Sequence, residues 1–245
     1  MAADKVAFIT GGNKGLGLET ARQLGKQGIT VVIGSRDPEK GAAAAQKLKI
    51  DGIDAEAIRL DVTKPADYKA VYDYFDRKYG RLDILINNAG VSREDFLAGN
   101  KTSVTSAEVL HDTFDTNFFA VIQLTQTLLP LIRKSPAGRI VNLSSILGSL
   151  TLHADPNSPI YNAKAFAYDA SKAALNAFTV HLAHELKDTK IKVNSAHPGW
   201  VKTDMGTDAA PMEVIDGAKT GVRLAMLPDD GPTGGYFHMN DPLPW

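Results

Sequence analysis

Short, strongly apolar segments alternate with longer amphipathic segments along most of the chain. The apolar segments at residues 6–10, 30–33, 55–60, 82–86, 139–143 and 191–195 are typical of buried strands, and residues 236–237 indicate a short seventh strand. Residues 16–28, 39–48 and 118–129 have the composition of helices between them. Apolar residues at helical spacing predict two further helices. One stripe consists of Tyr68, Val71, Tyr72 and Phe75, and the other consists of Leu175, Phe178, Leu182 and Leu186.

The alternation predicts an α/β fold, and such apolar strands indicate a parallel sheet covered by helices. An eight-unit barrel would need more strands than the six or seven found here, whereas an open doubly wound sheet needs about six. No Pro-, Gly- or Ser-rich linker and no internal repeat divides the sequence. We therefore expect residues 1–245 to form a single domain with helices on both faces of the sheet.

Composition excludes several classes of protein. The formal net charge of −1 argues against a dedicated nucleic-acid binder, which would show a basic excess. The absence of Cys excludes disulfides, cysteine-ligated metals and a thiol nucleophile. The sequence shows no signal-peptide pattern. Its apolar runs do not approach the length of roughly 18 residues that is needed to span a bilayer. The expectation is a cytoplasmic protein that acts without a membrane.

A glycine-rich turn follows the first predicted strand. Residues 10–17 read Thr-Gly-Gly-Asn-Lys-Gly-Leu-Gly, so Gly11, Gly15 and Gly17 lie between that strand and the next helix. Glycines at this place let the backbone approach a pyrophosphate at the helix N-terminus. The spacing differs from the G-x-G-x-x-G fingerprint, and it is not a P-loop. A glycine turn that binds no ligand therefore stays an alternative, although the turn favours the open sheet over the barrel.

The end of the second predicted strand bears on cofactor choice. In proteins that bind NAD, an acidic residue at the end of this strand binds the ribose 2′-hydroxyl. Here residues 34–37 read Gly-Ser-Arg-Asp. Arg36, with Lys14 from the glycine turn, could instead bind the 2′-phosphate of NADPH. Two alternatives stay open: both cations are solvated surface charges, or Asp37 turns inward toward a 2′-hydroxyl.

Tyr168 and Lys172 are spaced i, i+4 and are predicted to share one face of a helix. A free Tyr side chain has a pKa of about 10, which a neighbouring ammonium group would lower. A phenol tuned in this way can act as general acid or base on a carbonyl or alcohol oxygen. A surface pair on a helix is the alternative.

Further polar motifs follow other predicted strands or lie on adjacent helices. They are Asn87-Asn88-Ala89-Gly90, Asn117, Asn142-Leu143-Ser144-Ser145 and Pro198-Gly199-Trp200-Val201-Lys202-Thr203. Together with the glycine turn and the Tyr168–Lys172 pair, these motifs make the sequence resemble the short-chain dehydrogenase/reductase family from about Lys5 to the C-terminus. Within that family it is most similar to the carbonyl reductases, whose glycine turn also contains Asn-Lys-Gly. The resemblance implies a Rossmann-type doubly wound sheet of six or seven mostly parallel strands.

The resemblance also implies a catalytic group of four side chains. Tyr168 would be the general acid/base, and Lys172 would hold the nicotinamide ribose and lower the pKa of Tyr168. Ser145 would donate a hydrogen bond to the substrate oxygen. It is chosen over Ser144 because the family serine is followed by x-x-Gly, here residues 146–148. Asn117 would anchor a water that relays protons to Lys172.

The implied cofactor is NADPH/NADP+, and the implied reaction is reduction of a ketone or aldehyde to an alcohol. The implied cofactor-binding residues are Gly11, Asn13, Lys14, Gly15, Leu16, Gly17, Arg36, Asp61, Val62, Asn88, Ala89, Gly90, Tyr168, Lys172, Pro198, Gly199, Val201 and Thr203. Residues 61–62 and 88–90 would border the adenine, and Val201 and Thr203 would face the nicotinamide carboxamide. A catalytically silent NADP(H)-sensing protein is the alternative function. A halohydrin dehalogenase on this fold would lack the glycine turn.

The segment between Ser145 and Tyr168 is longer than is usual in the family. It includes Tyr161 and Lys164, a near-copy of the Tyr–Lys motif with i, i+3 spacing, which ranks below Tyr168. Family members often pack the helices around 118–129 and Tyr168 against a partner subunit, so a homodimer or a homotetramer is one expectation. His181 and His184 lie beside a core stripe without a further ligand, and we expect no metal site.

Residues 200–212 follow the sixth predicted strand at the ligand edge of the sheet and predict a substrate lid. Gly199 and Gly206 could serve as hinges, while Trp200 and Met205 could cover an apolar substrate. An ordinary connecting loop is the alternative. The apolar character of this segment suggests an apolar or aromatic carbonyl compound as substrate.

Overall fold

The structure is a computed structural model that describes residues 5–94 and 100–245. Its elements in chain order are β1 (Val6–Thr10), α1 (Gly15–Gly25), β2 (Thr30–Ser35), α2 (Pro38–Ile50), β3 (Ala55–Arg59), α3 (Pro65–Tyr79), β4 (Ile84–Asn87), α4 (Ala107–Phe114), α5 (Ala120–Ile132), β5 (Arg139–Leu143), α6 (Leu150–Ala154), α7 (Phe166–Glu185), β6 (Lys192–His197), α8 (Val214–Gly217), α9 (Lys219–Ala225), β7 (Tyr236–His238) and β8 (Asp241–Pro242). The predicted domain of residues 1–245 includes residues 1–4 and 95–99, which lie outside the described part of the chain.

The strands form one sheet in the order β3-β2-β1-β4-β5-β6-β7-β8, in which every neighbouring pair is parallel except β7 and β8. The chain leaves β1 toward β2 and β3 and then returns to β4 on the other side of β1. This reversal places the ends of β1 and β4 at a topological switch point, where open parallel sheets bind ligands. The predicted doubly wound sheet is confirmed, with the two-residue β8 as an antiparallel addition too short to show a hydrophobic pattern.

Two apolar cores cover the two faces of the sheet. Alternate residues of β1 point to opposite faces, so Ala7 and Ile9 pack with α1, α2 and α9, whereas Val6 and Phe8 pack with α3, α5 and α7. Each of these four side chains is at most 1% exposed. Burial on both faces explains why the strands read as continuous apolar runs.

The helix predicted over residues 118–129 differs in its start. A π-helical turn, Asp115–Phe119, lies between α4 and α5, and α5 itself begins at Ala120. The apolar run at residues 118–129 predicts a helix but does not distinguish an α-helical from a π-helical backbone. Single π-helical turns frequently occur at functional sites. Across the described ranges, no helix is both long and apolar enough to cross a membrane.

Candidate active site

The glycine turn between β1 and α1 is packed tightly against the end of β4. Gly11 has a φ of +64°, a conformation that favours glycine. A Cβ atom at Gly17 would lie 2.5 Å from Asn88 Nδ2 and 2.6 Å from the Gly11 carbonyl oxygen. Any larger residue at either position would therefore displace the turn from the strand end.

The N-terminus of α1 carries no side-chain cap. Its N-cap residue is Lys14, whose side chain accepts no hydrogen bond, and its first turn holds no acidic residue. A Cβ atom at Gly15 would lie 3.6 Å from Thr203 Cγ2, an ordinary van der Waals contact. The amide groups and the positive dipole end of the helix thus face a space bordered by the loop after β6, an arrangement suited to an anion.

Asp37 and Arg36, at the end of β2, have different environments. The Asp37 carboxylate caps α2, since it accepts hydrogen bonds from the amides of Glu39 at 3.0 Å and Lys40 at 3.1 Å. These bonds, led by that of Lys40, lower the pKa of Asp37. Arg36 is exposed. Burial raises the pKa of Asp61, but hydrogen bonds from Thr63 and smaller contributions from the charges of Lys64 and Arg36 lower it overall. Asp37 is therefore engaged as a helix cap, whereas the Arg36 guanidinium group faces solvent.

Lys14, the second predicted phosphate ligand, forms an exposed ion pair with Asp204. Asp204 belongs to the loop after β6, so this pair connects the glycine turn with the predicted lid. The pairing leaves Lys14 at the edge of the site but with a carboxylate competing for its charge.

The residues predicted at the adenine side also hold the strand ends together. Asn88 Nδ2 donates to the Thr10 carbonyl oxygen at 2.8 Å. Thr10 Oγ1 accepts from the amides of Asn88 at 3.0 Å and Ala89 at 2.9 Å. Val62 accepts a hydrogen bond from Tyr68 Oη at its carbonyl oxygen. Thr10 was missed by sequence reasoning, because a Thr ending a strand carries no distinctive local signal.

The structure brings Ser145, Tyr168 and Lys172 together at the carboxyl end of β5. Tyr168 and Lys172 lie on α7, with Lys172 Nζ 5.5 Å from the centroid of the Tyr168 ring. Lys172 Nζ donates to the Leu143 carbonyl oxygen at 2.7 Å, and the Ser145 hydroxyl hydrogen-bonds the Tyr168 side chain. A phenol, a hydroxyl and an ammonium group thus converge on one point.

Burial dominates the ionisation of this group. Burial raises the pKa of Tyr168 to about 12, although the hydrogen bond with Ser145 lowers it and the Asp169 charge raises it slightly. Burial also lowers the pKa of Lys172 to about 8. The expected lowering of the Tyr168 pKa by Lys172 is therefore wrong for the chain by itself, because desolvation disfavours the charged form of both groups.

Asn117 lies in the π-helical turn and is fully buried. Its Oδ1 accepts from the Val91 amide at 2.9 Å, while its Nδ2 donates to the Val91 carbonyl oxygen at 2.9 Å and to Ser171 Oγ at 3.0 Å. A Cβ atom at Gly90 would lie 3.3 Å from Asn117 Oδ1 and 3.6 Å from Lys172 Nζ. Asn117 is thus a neighbour of Lys172, and the proton-relay water stays a prediction.

Asn87 and Asn142 form a buried polar chain beneath the site. Asn87 Nδ2 donates to Thr125 Oγ1 at 3.0 Å and to Asn142 Oδ1 at 2.8 Å, and Asn142 Nδ2 donates to Thr179 Oγ1 at 2.9 Å. Thr179 and Ser195 share a further bond of 2.9 Å. The chain joins β4, β5 and β6 to helices α5 and α7, so these two asparagines have a supporting role.

Two further residues support Ser145 and were missed by sequence reasoning. His197 Nδ1 accepts a hydrogen bond from the Ile146 amide at 3.1 Å, and the Tyr236 hydroxyl donates to the Ser145 carbonyl oxygen. Burial, with a contribution from His238, lowers the pKa of His197 to about 3, so its ring is neutral and can accept. Neither residue stands in a motif that would mark it in the sequence.

The segment of residues 150–166 contains the alternative tyrosine. Tyr161 is 38% exposed, and the neighbouring Lys164 donates to the His153 carbonyl oxygen at 3.0 Å. Tyr168, in contrast, is 7% exposed and pairs with Ser145. The environment of Tyr168 is therefore the one suited to proton transfer. His153 also approaches Asp169 at 3.3 Å, joining this segment to the start of α7.

The loop after β6 is closed at its base. Val201 and Met212 form a parallel bridge, with the Lys202 amide donating to the Met212 carbonyl oxygen at 2.9 Å. Trp200 is 47% exposed, and its Nε1 donates to the Gly206 carbonyl oxygen at 2.8 Å. A Cβ atom at Gly206 would lie only 2.0 Å from the Val201 carbonyl oxygen. Gly206 is thus packed against the loop base. Gly199, with a φ of +95°, is also closely packed, since its Cβ would lie 2.7 Å from Met212 Sδ, and the role of the two glycines as hinges stays a prediction.

His181 and His184 both lie exposed on α7. Within residues 5–94 and 100–245, no group of three or more His, Cys, Asp or Glu side chains is arranged to hold a metal ion.

The chain is similar to known proteins over nearly its whole length. The family model described as short chain dehydrogenase matches residues 5–214. The chain is 33% identical to carbonyl reductase (NADPH) 1 of Mus musculus, over 98% of this chain and 98% of the relative. Among solved structures, the NADPH-bound carbonyl reductase from chicken fatty liver superposes with a TM-score of 0.85 at 27% identity, covering 99% of both chains. Salutaridine reductase from Papaver somniferum has a TM-score of 0.82 at 31% identity, covering 95% of this chain and 99% of that chain.

Proposed function

The chain belongs to the short-chain dehydrogenase family of oxidoreductases, and from this premise we propose that it is an NADPH-dependent reductase that converts a ketone or an aldehyde into an alcohol. The observation that carries the proposal is the buried Tyr168 hydroxyl, which pairs with Ser145 beside the Lys172 ammonium group. These groups lie at the same edge of the sheet as the glycine turn.

The residues around the glycine turn fit a dinucleotide with a 2′-phosphate. The uncapped N-terminus of α1 offers amide donors for the pyrophosphate, and the exposed Arg36 offers a cation where the ribose of such a cofactor would lie. The engagement of Asp37 as a helix cap removes the residue that would compete for a ribose hydroxyl. NADPH also occurs in the chicken carbonyl reductase structure.

NADPH, when bound, supplies the hydride, and the side chains of the chain manage the charge of the substrate oxygen. In the reduction, Tyr168 Oη donates its proton to the carbonyl oxygen as that oxygen gains negative charge. The Ser145 hydroxyl donates a second hydrogen bond to the same oxygen. Donors held in place before the reaction stabilise the transition state, because they need not reorganise as charge develops.

Lys172 and Asn117 support the proton transfer. Once Tyr168 has lost its proton, the Lys172 ammonium group stabilises the phenolate. Its pKa of about 8 leaves it mostly charged at neutral pH. Asn117 holds the backbone at Val91 next to Lys172. An anchored water near these groups would return a proton to Tyr168.

The walls of the site favour an apolar or aromatic carbonyl compound. Leu147 follows Ser145, and the exposed Trp200 and Met205 lie in the loop after β6. Loss of NADPH absorbance in the presence of a panel of ketones and aldehydes tests the reaction directly. Turnover of at least one carbonyl compound supports the proposal. Tight NADPH binding without turnover of any compound would favour a sensing protein.

A homodimer or homotetramer through helices α5 and α7 is a further part of the proposal. Phe119, immediately before α5, and Val180 on α7 are large apolar residues that stay exposed. A partner subunit packed on these helices would cover them.

The loop of residues 200–212 is expected to act as a lid. We expect its amides to exchange hydrogen quickly in the free protein and to gain protection when NADPH binds, because closure would order a loop whose link to the glycine turn is the exposed Lys14–Asp204 ion pair. Strand β1 is the internal control and should change little. Trp200→Ala should alter KM and substrate range more than thermal stability. Strong protection in the free protein, unaffected by NADPH, would show that the loop is an ordinary connection.

A further inference from the structure

The backbone of Ser145 is held by a side chain from the far edge of the sheet. Its carbonyl oxygen accepts from the Gly148 amide at 2.8 Å and also from the Tyr236 hydroxyl. Tyr236 lies on β7, is 2% exposed, and pairs in register with Ser195 of β6. Because packing fixes the Tyr236 ring, its hydroxyl is a donor at a defined position rather than a mobile one.

Trp245 holds Tyr236 from the other side. The two rings stack with centroids 5.5 Å apart and an interplanar angle of 20°. The Trp245 carbonyl oxygen accepts from Ser149 Oγ at 3.2 Å and from the Thr151 amide at 2.9 Å. The stretch after β7 thus folds back over Tyr236 and is tied to the residues that follow Ser145.

We propose that Tyr236, held by Trp245, is a positioning residue that acts through the Ser145 backbone. It keeps the Ser145 hydroxyl close to Tyr168, the group that gives its proton to the substrate oxygen. The proposal rests on the proposed function. Without the Tyr236 hydroxyl, the Ser145 carbonyl oxygen would lose one of its two donors. The peptide that follows Ser145 would then be held by the Gly148 amide and by the bond from the Ile146 amide to His197, which leaves it less firmly placed. Hydroxyl groups must be held closely for efficient catalysis, since small displacements cause large losses of rate.

If Tyr236 positions Ser145, removing the Tyr236 hydroxyl should change the pKa of Tyr168. The hydrogen bond with Ser145 lowers the pKa of Tyr168, against burial, which raises it. Two charged or titratable groups near Tyr168, Lys172 and Asp169, lie on its own helix. Two others come from elsewhere: Glu94, which follows β4 and accepts from the Tyr168 amide at 3.0 Å, and Tyr236 on β7. Tyr236→Phe adds no charge to this set. Because Tyr236 also interacts with Tyr168 directly, the Ser145→Ala background is needed to identify the part of a shift that comes through Ser145.

Tyr236→Phe is the decisive variant, because it keeps the ring and its stacking on Trp245 but removes the hydroxyl. We expect kcat for carbonyl reduction to fall about ten-fold, because a displaced Ser145 hydroxyl would weaken its own hydrogen bond to the reacting oxygen. The dissociation constant for NADPH should be little changed. Alcohol oxidation requires the Tyr168 phenolate, so its rate increases as pH rises through the pKa of Tyr168. A loosened Ser145 raises that pKa, and the midpoint of the oxidation profile should move to higher pH.

Tyr74→Phe is the matched control. Tyr74 also donates from its hydroxyl to an internal acceptor, Glu56 at 2.8 Å, but lies on α3, outside the site. Both variants should lose some thermal stability, whereas only Tyr236→Phe should change kcat and the pH profile. A loss of stability alone, with both kinetic measurements at their wild-type values, would overturn the proposal.

A double-mutant cycle tests whether Tyr236 acts through Ser145. In a Ser145→Ala background, Tyr236→Phe should cause no further loss of kcat, and an undiminished ten-fold loss would contradict the proposal. If Tyr236→Phe does not fold, Trp245→Ala can replace it, because it weakens the same support. It should lower kcat and move the midpoint of the oxidation pH profile to higher pH, and Trp245→Phe should lie closer to wild type. A wild-type protein that reduces no carbonyl compound would instead refute the proposed function itself.

Discussion

Replacement of Tyr168 with Phe is expected to abolish turnover while NADPH binding stays nearly intact. The substitution removes the transferable proton but keeps the ring that packs at the start of α7. A positioned general acid contributes roughly 10²–10⁴-fold to a reaction rate, and the single-turnover rate should fall by about that factor. Single-turnover kinetics and a cofactor titration on the same preparation separate the chemical step from binding.

Tyr161→Phe provides the matched control, because Tyr161 is exposed and belongs to the alternative Tyr–Lys pair. It should leave the single-turnover rate at the wild-type value. If Tyr168→Phe instead retained activity within a few-fold of wild type, the proton would come from another group. Tyr161 would then be the first residue to examine.

Arg36→Ala should weaken NADPH binding much more than NADH binding. A charge-assisted contact between Arg and a phosphate contributes about 1.5–3 kcal/mol. Its loss should reduce the preference for NADPH by roughly 10- to 150-fold, at about 1.4 kcal/mol per factor of ten. Dissociation constants for both cofactors, measured for wild type and variant at one ionic strength, give this ratio.

Arg77→Ala is a suitable control for the loss of a surface guanidinium group. Arg77 lies on α3 and donates to the Asp73 carbonyl oxygen, away from the glycine turn. It should leave the cofactor preference unchanged. A wild-type protein that already prefers NADH would contradict the assignment of Arg36, and Asp37 would become the candidate ribose ligand despite its role as a helix cap.

The fold could be predicted from local patterns because burial on both faces leaves a direct trace in the sequence. The strand β1 and the strand β5 were predicted with the bounds that the structure has, and the other central strands differ only at their ends. The elements that were missed, such as α4, α6 and β8, are short, so their apolar positions are too few to define a period. The π-helical turn around Asn117 depends on packing that no local period reports.

The sequence by itself determined the relative placement of several candidate side chains. The i, i+4 spacing of Tyr168 and Lys172 places both on one helical face wherever the helix lies. Parallel strands bring their carboxyl ends to one edge, so the glycine turn and Ser145 had to meet there. Backbone geometry alone is sufficient for both conclusions.

Only the tertiary structure decided how these side chains are tuned and supported. The pKa of Tyr168 is raised rather than lowered, because desolvation depends on the depth at which α7 packs. Asp37 could face a ribose or cap a helix, and the start of α2 determined which. The contact from Tyr236 to Ser145 joins residues 91 positions apart. Such a contact arises from sheet order, which brings distant segments together without leaving a periodic signal in either one.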